Sequence, residues 1–230
     1  MDRASQTEQT RRFFDTVASG WTSRYDREAH VAARKARFLA AVQTKCPAPA
    51  DILDFGCGSG DIARHLSEHG YRLTGYDLSA AMIGEARRAD GGGRVHWLAR
   101  AADETALPFA AASFDAVVAS SVLEYVPDVT AALRQLSGVL RPGGWLFATV
   151  PDMRNAVRQG EKWRRWAARA PGLGALLRRT RWREGADYLR ISVNRETPET
   201  WLARLREAGL SPEGLPESTG PLLLLAARKT

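Results

Sequence analysis

Between Ile52 and Val150 the chain alternates short apolar runs with stretches of helical periodicity, and few folds tolerate that order. Residues 52–55 read as a strand, and Asp61 to His69 as a helix ended by Gly70. Residues 71–76 form a second strand, and Ser79 caps a helix reaching about Arg88. Residues 95–99 give a third strand. Residues 114–119 give a fourth, apolar almost throughout, as a strand covered on both faces should be. Val129 to Leu140 is a helix stopped by Arg141-Pro142-Gly143-Gly144, and residues 145–150 are a fifth strand. The expected fold is α/β, a mostly parallel seven-stranded sheet with helices on both faces. It is preceded by a helix from about Glu28 to Val42 and a breaker at 45–50. Residues 1–10 are polar and are expected to fray.

The alternation breaks after Pro151. Residues 152–195 carry helical stretches with no strand between them, and a helix restarts at Thr197-Pro198 and stops at Gly209. Extended stretches at 213–217 and 222–228 would close the sheet as a C-terminal antiparallel hairpin. We therefore expect a single domain over 1–230: a helical cap (1–45), a core (46–151), a helical lid inserted after the fifth strand (152–195), and a C-terminal helix and hairpin (196–230).

Charge is unevenly placed. The net charge is +7, yet the stretch from Arg154 to Arg190 holds ten Arg, one Lys and three acids, +8 in all, so the remainder sums to −1. A local anionic partner fits this better than general nucleic-acid binding. No apolar run approaches the roughly 20 residues of a membrane span, and residues 1–12 do not resemble a secretory signal. Cys46 and Cys57 are too few for a disulfide framework or a thiolate zinc site. A cytoplasmic setting is expected, with no metal.

The chemistry centres on Ile52-Leu-Asp-Phe-Gly-Cys-Gly-Ser-Gly60, a strand-to-helix turn with glycines at 56, 58 and 60. Missing Cβ atoms let backbone approach a ligand, and the next helix points free N–H groups at it. A dinucleotide fingerprint is G-x-G-x-x-G; here the third glycine comes one residue early, and no P-loop Lys-Ser/Thr pair follows. Asp77 ends the second strand, where an acid can accept from both ribose hydroxyls, or simply cap the next helix. Asp54 precedes the loop, where it would repel a pyrophosphate and suit an ammonium group. A nucleoside with a cationic tail fits, as in S-adenosylmethionine (SAM).

These residues, together with Gly75-Tyr-Asp-Leu-Ser79, Ala102-Asp-Glu-Thr-Ala-Leu-Pro-Phe109, Ser113-Phe-Asp115, Ser121-Val-Leu-Glu-Tyr-Val126 and Leu140-Arg-Pro-Gly-Gly144, make the chain resemble the class I, Rossmann-like SAM-dependent methyltransferases, in their small-molecule branch. The resemblance covers about Phe13 to Val150. It implies SAM as cofactor and S-adenosylhomocysteine as product. The backbone of Gly56, Cys57 and Gly58 would lie against the methionine part, with Ser120 and Ser121 beneath its tail, Asp77 on the ribose and Leu78 against the adenine face; Asp54, Gly60 and Met82 are further expected cofactor contacts. Asp103 would accept from the adenine amino group and the Glu104 backbone would meet the ring. Trp21 and Tyr25 belong to a segment resembling one that closes over the cofactor; packing is an equal reading for both. Cys57 reads as a small packing residue, His65 and His69 as a solvated pair, and His96 as structural.

Methyl transfer from a sulfonium is an in-line displacement with a neutral leaving group, so alignment can supply most of the acceleration. An oxygen acceptor can also need a base. Relatives often carry His where this chain has Tyr125, which leaves Glu124, Tyr125 and His30 as candidates, with a pocket-wall role the alternative for the first two. A carboxylate acceptor would need none. The lid sits at the carboxyl edge of the sheet, where ligands bind. Its Trp163, Trp166, Arg164, Arg165 and Tyr188 are candidate acceptor contacts, because Arg forks match carboxylate or phosphate. The expected partner is a small anionic acceptor with an apolar part, methylated on oxygen. Sugar-linked, lipid-linked and natural-product acids all fit, and so does peripheral contact with an anionic membrane. A solvated basic face is the plainer reading. The Asn/Asp-Pro-Pro-aromatic motif that holds a flipped base is replaced by Ser-Ser-Val-Leu-Glu-Tyr, so nucleic acid is not expected as partner, although RNA methylation or SAM binding without turnover is the alternative. A monomer or homodimer is expected.

Overall fold

The computed structural model describes the chain except residues 1–2, 22–27, 102–104, 171, 173–182, 215 and 219; side chains of 28–30, 163, 168 and 169 are also outside the description. Strands β1 (Asp51–Phe55), β2 (Arg72–Asp77), β3 (Val95–Ala99), β4 (Phe114–Ser120) and β5 (Leu140–Pro151) pair in parallel in the order β3-β2-β1-β4-β5. The antiparallel strand β8 (Leu222–Lys229) extends this sheet next to β5, with β6 (Leu210–Pro212) beyond it. A two-residue β7 (Glu217–Ser218) also pairs with β8. The seven-strand path matches expectation. The hairpin is shifted: its long-range partner is β6, while β7 makes only the short turn pairing.

Successive residues of β4 serve opposite faces. Val117 and Ala119 face a core built with helices α5 (Val129–Val139) and α8 (Pro198–Glu207). Ala116 and Val118 face one built with α2 (Glu28–Lys45), α3 (Asp61–Ser67) and α4 (Ala80–Asp90). Capping follows the sequence cues, since Ser79 Oγ accepts from Met82 N, Asp128 caps α5 and Thr197 caps α8. Helix α5 does stop just before Arg141–Gly144, as expected, but that segment is not a loop. It continues β5, which starts directly after α5 at Leu140 and absorbs the glycines in a register shift between Phe114 and Ala116.

Residues 3–10, expected to fray, are helical instead. Helix α1 (Arg3–Val17) buries Gln6 and Thr10 against the inserted segment, and Gln6 Nε2 donates to Ile191 O at 2.8 Å. Polar side chains do the burying, so apolar periodicity could not reveal the contact. The inserted segment supplies α6 (Ala156–Arg169) and α7 (Arg183–Ile191), which pack on each other. Among the described residues no helix is long and apolar enough to cross a membrane.

Trp97 explains two glycines. It is nearly buried on β3 and donates Nε1–H to Asp90 at 3.2 Å. A Cβ on Gly60 would come within 2.2 Å of its ring, and one on Gly75 within 2.4 Å. A Gly→Ala change in a strand otherwise gains about 0.5–1 kcal/mol; overpacking an indole that cannot retreat costs about 1–3 kcal/mol, so the clash wins. Gly75→Ala should lower stability by about 1–3 kcal/mol in urea denaturation, and the loss should largely vanish in a Trp97→Leu background. An equal loss in both backgrounds would refute the indole as its cause.

Candidate active site

The parallel register brings the carboxyl ends of β1, β2 and β4 together, with Asp54 opposite Gly75 and Val118. From β1 the backbone turns at Gly56 (φ +69°) and Gly58 (φ +54°), a region that side chains with a Cβ rarely adopt. The Gly56 and Cys57 N–H groups donate to Tyr76 O at 2.7 and 3.2 Å, which ties the loop to β2. The three loop glycines have separate jobs. A Cβ on Gly56 would strike Val122 at 2.2 Å and one on Gly60 would strike Trp97, whereas at Gly58 nothing lies within 4 Å. Gly58 is thus where the loop backbone faces open space.

Asp77 accepts from Gly58 N and Ser79 N, each at 2.8 Å. It thus braces Ser79, the residue that caps the following helix, rather than capping that helix itself, and each oxygen keeps a further lone pair. Asp54 is 1% exposed, and neither carboxylate oxygen has a hydrogen-bond partner of good geometry. Burial, and then the nearby Asp77 charge, push its carboxyl up from 3.8 to about 7, opposed only in part by the Ala63 N–H and the Arg34 charge. Burial likewise lifts Asp77 to about 6 despite its backbone donors. Cys57 sits beside both acids, and burial holds its thiol well above the ordinary range, which is the environment of an inert packing residue. Ser120 Oγ at the end of β4 is buried without a partner, and Ser121 follows at φ +55°. The result is a lobe with two buried carboxylates, an unpartnered hydroxyl and open backbone, in which negative charge is only partly offset.

Leu78 is half-buried beside Asp77, while Met82 is 1% exposed and packs with Val17, Ala18, Phe13, Phe14 and Trp21. Trp21 therefore stands in a cluster against α4, edge-on to Phe14 at 5.6 Å. Tyr25, Asp103 and Glu104 lie outside the described residues, as does the His30 side chain; the His30 backbone belongs to the first turn of α2. The His65 and His69 rings meet edge-on with centroids 4.7 Å apart, and His69 Nδ1 lies 2.8 Å from the His65 carbonyl.

Beyond β4 a 3₁₀ turn (Leu123–Tyr125) carries the candidate base. Tyr125 meets Phe14 of α1 at 5.2 Å and Tyr188 of α7 at 6.2 Å, so aromatic rings run from the N-terminal helix to the insertion. Glu124 is held inward. Ser192 Oγ donates to its Oε2 at 2.5 Å, and its carbonyl takes the N–H groups of Val193 and Asn194 at 2.8 and 3.0 Å. Arg195, with a side chain 1% exposed, donates Nε–H to Ser192 Oγ at 2.8 Å, pairs with Glu161, and brings Nη2 to 4.0 Å from Glu124. Arg158 donates to Tyr188 Oη at 3.1 Å and to Glu161 at 3.3 Å. Two Glu and two Arg thus form a neutral buried network between the 3₁₀ turn and the insertion. Burial raises the Glu124 and Tyr188 carboxyl and phenol values.

Sequence reasoning missed Arg158, Glu161, Ser192 and Arg195, whose separation along the chain leaves no local signal. Of the expected acceptor contacts, Tyr188 joins this network and Arg165 donates to Ser192 O at 2.8 Å. Arg164 and Trp166 are exposed, and the Trp163 side chain is outside the description. The structure instead opens a cleft of about 470 Å³ between α1 and α7, with Phe13, Val17 and Ile191 as apolar lining and Arg12, Arg183 and Arg190 among its charged residues.

Comparison with known proteins agrees with this architecture. A family model described as a methyltransferase domain matches residues 24–211. The chain is 33% identical over 178 residues to the 2-phytyl-1,4-naphtoquinone methyltransferase of Thermosynechococcus vestitus, covering 71% of this chain and 73% of the relative. It is 36% identical over 126 residues to the malonyl-[acyl-carrier protein] O-methyltransferase of Enterobacter lignolyticus, covering 51% of this chain and 49% of that protein. The chain thus spans about half the length of that relative. A SAM-dependent methyltransferase structure from Thermotoga maritima superposes with a TM-score of 0.67 at 18% identity, over 96% of this chain and 99% of that one, and shows the shared fold. The chain belongs to the methyltransferase-domain family, with the class I, Rossmann-like fold.

Breaking one partner of a buried ion network leaves uncompensated charge and costs about 3–5 kcal/mol. Arg195→Ala should lose stability of that order in urea denaturation and speed hydrogen exchange in α6 and α7 more than in β1 and β4. Unchanged exchange in the two helices would refute the network as the tie between insertion and core.

Proposed function

We propose that the chain transfers a methyl group from SAM to a small anionic acceptor, with oxygen as the receiving atom. The observation that carries this reading is the unpartnered, buried Asp54 carboxylate beside the open face of Gly58. SAM bears a sulfonium and an ammonium against one carboxylate, so its net charge supplies what the lobe lacks. The residues present fit the cofactor. Asp77 has lone pairs to spare for the ribose hydroxyls, Leu78 stands beside it for the adenine, and Asp54 and Ser120 suit the ammonium end of the methionine part. Asp103, Glu104 and Tyr25 enter on family resemblance alone. When bound, SAM supplies an electrophilic methyl group on a leaving group that departs uncharged.

The protein's own part is alignment and dryness. Backbone at Gly56–Gly58 fixes one partner, and the rings of Phe14, Tyr125 and Tyr188 wall the side where the other must arrive. Glu124 is bonded to Ser192 and flanked by Arg195, so it supports this wall; Tyr125 is the candidate that meets the acceptor, and His30 remains a candidate base. An acid acceptor, already ionised, needs no base. Two observations favour an anion. The stretch Arg154–Arg190 carries +8, and the α1–α7 cleft sets Arg12, Arg183 and Arg190 against Glu184 and Asp187 around an apolar floor, a small positive excess. The Enterobacter relative is an O-methyltransferase for a malonyl group, itself an acid.

Incubation with methyl-labelled SAM and separate panels of carboxylic acids, phenols, carrier-linked acids, RNA and protein tests the reading. A labelled small acid whose label is released by mild base, as a methyl ester requires, is expected. Label only in RNA or protein would overturn it.

A further inference from the structure

Ser79 lies two residues beyond Asp77 and is fully buried. Its hydroxyl oxygen accepts from Met82 N at 3.1 Å, which caps α4 and leaves the hydroxyl proton to be given elsewhere. That proton goes to Asp15 Oδ1 on α1, at 2.6 Å. The Ser79 N–H meanwhile donates to Asp77 Oδ1, and Asp77 Oδ2 receives the Gly58 N–H. Hydrogen bonds therefore run unbroken from the N-terminal helix, through Ser79 and Asp77, to the loop glycine that faces open space.

Capping α4 does not require this. It uses only the acceptor side of the hydroxyl, and water could take the proton. Nor does burial of α1 require it, since Val17 and Ala18 already pack on Met82 with Phe13 and Phe14 alongside. The Asp15 carboxylate is also held in advance: its Oδ2 takes Arg11 Nη1 at 2.7 Å, and Arg11 is gripped by Glu8 through two bonds of 2.8 and 2.9 Å. A chain of oriented side chains thus spans two turns of α1 and ends on the serine next to the donor-site aspartate. A charge-assisted bond of this length is among the stronger single contacts available to a partly buried helix.

We infer that Asp15 is a positioning residue that latches α1 across the SAM pocket through Ser79, so that donor affinity depends on a side chain that does not touch the donor. The inference rests on the donor reading above. The latch works from both ends. Seating α1 fixes Ser79, which fixes Asp77 and the Gly58 amide. A donor that engages Asp77 in turn fixes Ser79 and holds α1 in place.

Calorimetric binding of S-adenosylhomocysteine to wild type, Asp15→Ala and Asp15→Asn separates the outcomes. Asparagine keeps an oxygen that accepts from Ser79, whereas alanine does not. Asp15→Ala should bind roughly fivefold to tenfold more weakly, and Asp15→Asn should stay within about twofold of wild type. In wild type, hydrogen exchange over 11–17 should slow when the ligand is added, a measurement that stands even should the alanine variant unfold. Wild type that binds, with Asp15→Ala equally tight, overturns the latch alone. Loss of affinity in both variants overturns the hydrogen bond as its basis, and exchange in α1 indifferent to ligand overturns the coupling. Wild type that binds no S-adenosylhomocysteine defeats the donor reading and the latch with it.

Discussion

Two buried carboxylates, which the charge of Arg34 offsets only in part, govern the rest of the molecule. Removing an ionised acid from water is among the largest unfavourable electrostatic terms in a protein, and a second like charge nearby makes it larger. The sheet imposes both on Asp54: it ends a central strand, covered on both faces, one loop away from Asp77. An apolar residue at 54 would remove the difficulty, and a lysine nearby would neutralise it. Asp54 is polar and Arg34 offsets it only in part, so the free protein holds a site with its charge incompletely balanced. Only a ligand bringing positive charge completes it, and the open space at Gly58 marks the side from which it comes.

The insertion solves the opposite problem. It carries most of the excess cationic charge, yet Arg158, Arg165 and Arg195 are used inside the protein, on Tyr188, Glu161, the Ser192 carbonyl and hydroxyl, and the Glu124 neighbourhood. Their partners form a neutral set, so the insertion docks on the turn after β4 without opposing the negative lobe a few residues away. What stays exposed, including Arg164, faces solvent. Charge is thus sorted by depth: negative and unpaired at the donor loop, paired beneath the insertion, positive at the surface.

Alternation of period-two and period-3.6 patterns was enough to place β1 to β5 and their helices, because each strand buries its own local run. The glycine spacing with Asp54 and Asp77 likewise sits within a single βαβ unit and could be read directly. Three features could not. α1 is held by Gln6 and Asp15, polar groups whose partners lie on α7 and at Ser79. Gly60 looked like a ligand-facing glycine and proved to make room for Trp97, a residue 37 positions away whose ring direction no pattern encodes. The Glu124 network joins residues that are adjacent only once the insertion has folded back, so a carboxylate that read as a general base stands as the anchor of a polar cluster. Each miss involves a side chain whose role depends on a long-range neighbour.

Carboxyl-carbon NMR of the aspartates, followed against pH with and without SAM, tests the central claim most directly. An acid raised from 3.8 to about 7 contributes stability that is complete below its unfolded value and disappears as pH climbs through its folded one. The ligand-free protein should therefore weaken between about pH 4 and 7, and Asp54 should titrate near the upper end of that window. Bound cation favours the ionised form, so the same resonance should titrate well below its free-state midpoint once the ligand is present. Asp54 titrating at about 4 without ligand, or indifferent to SAM at saturation, would contradict the account.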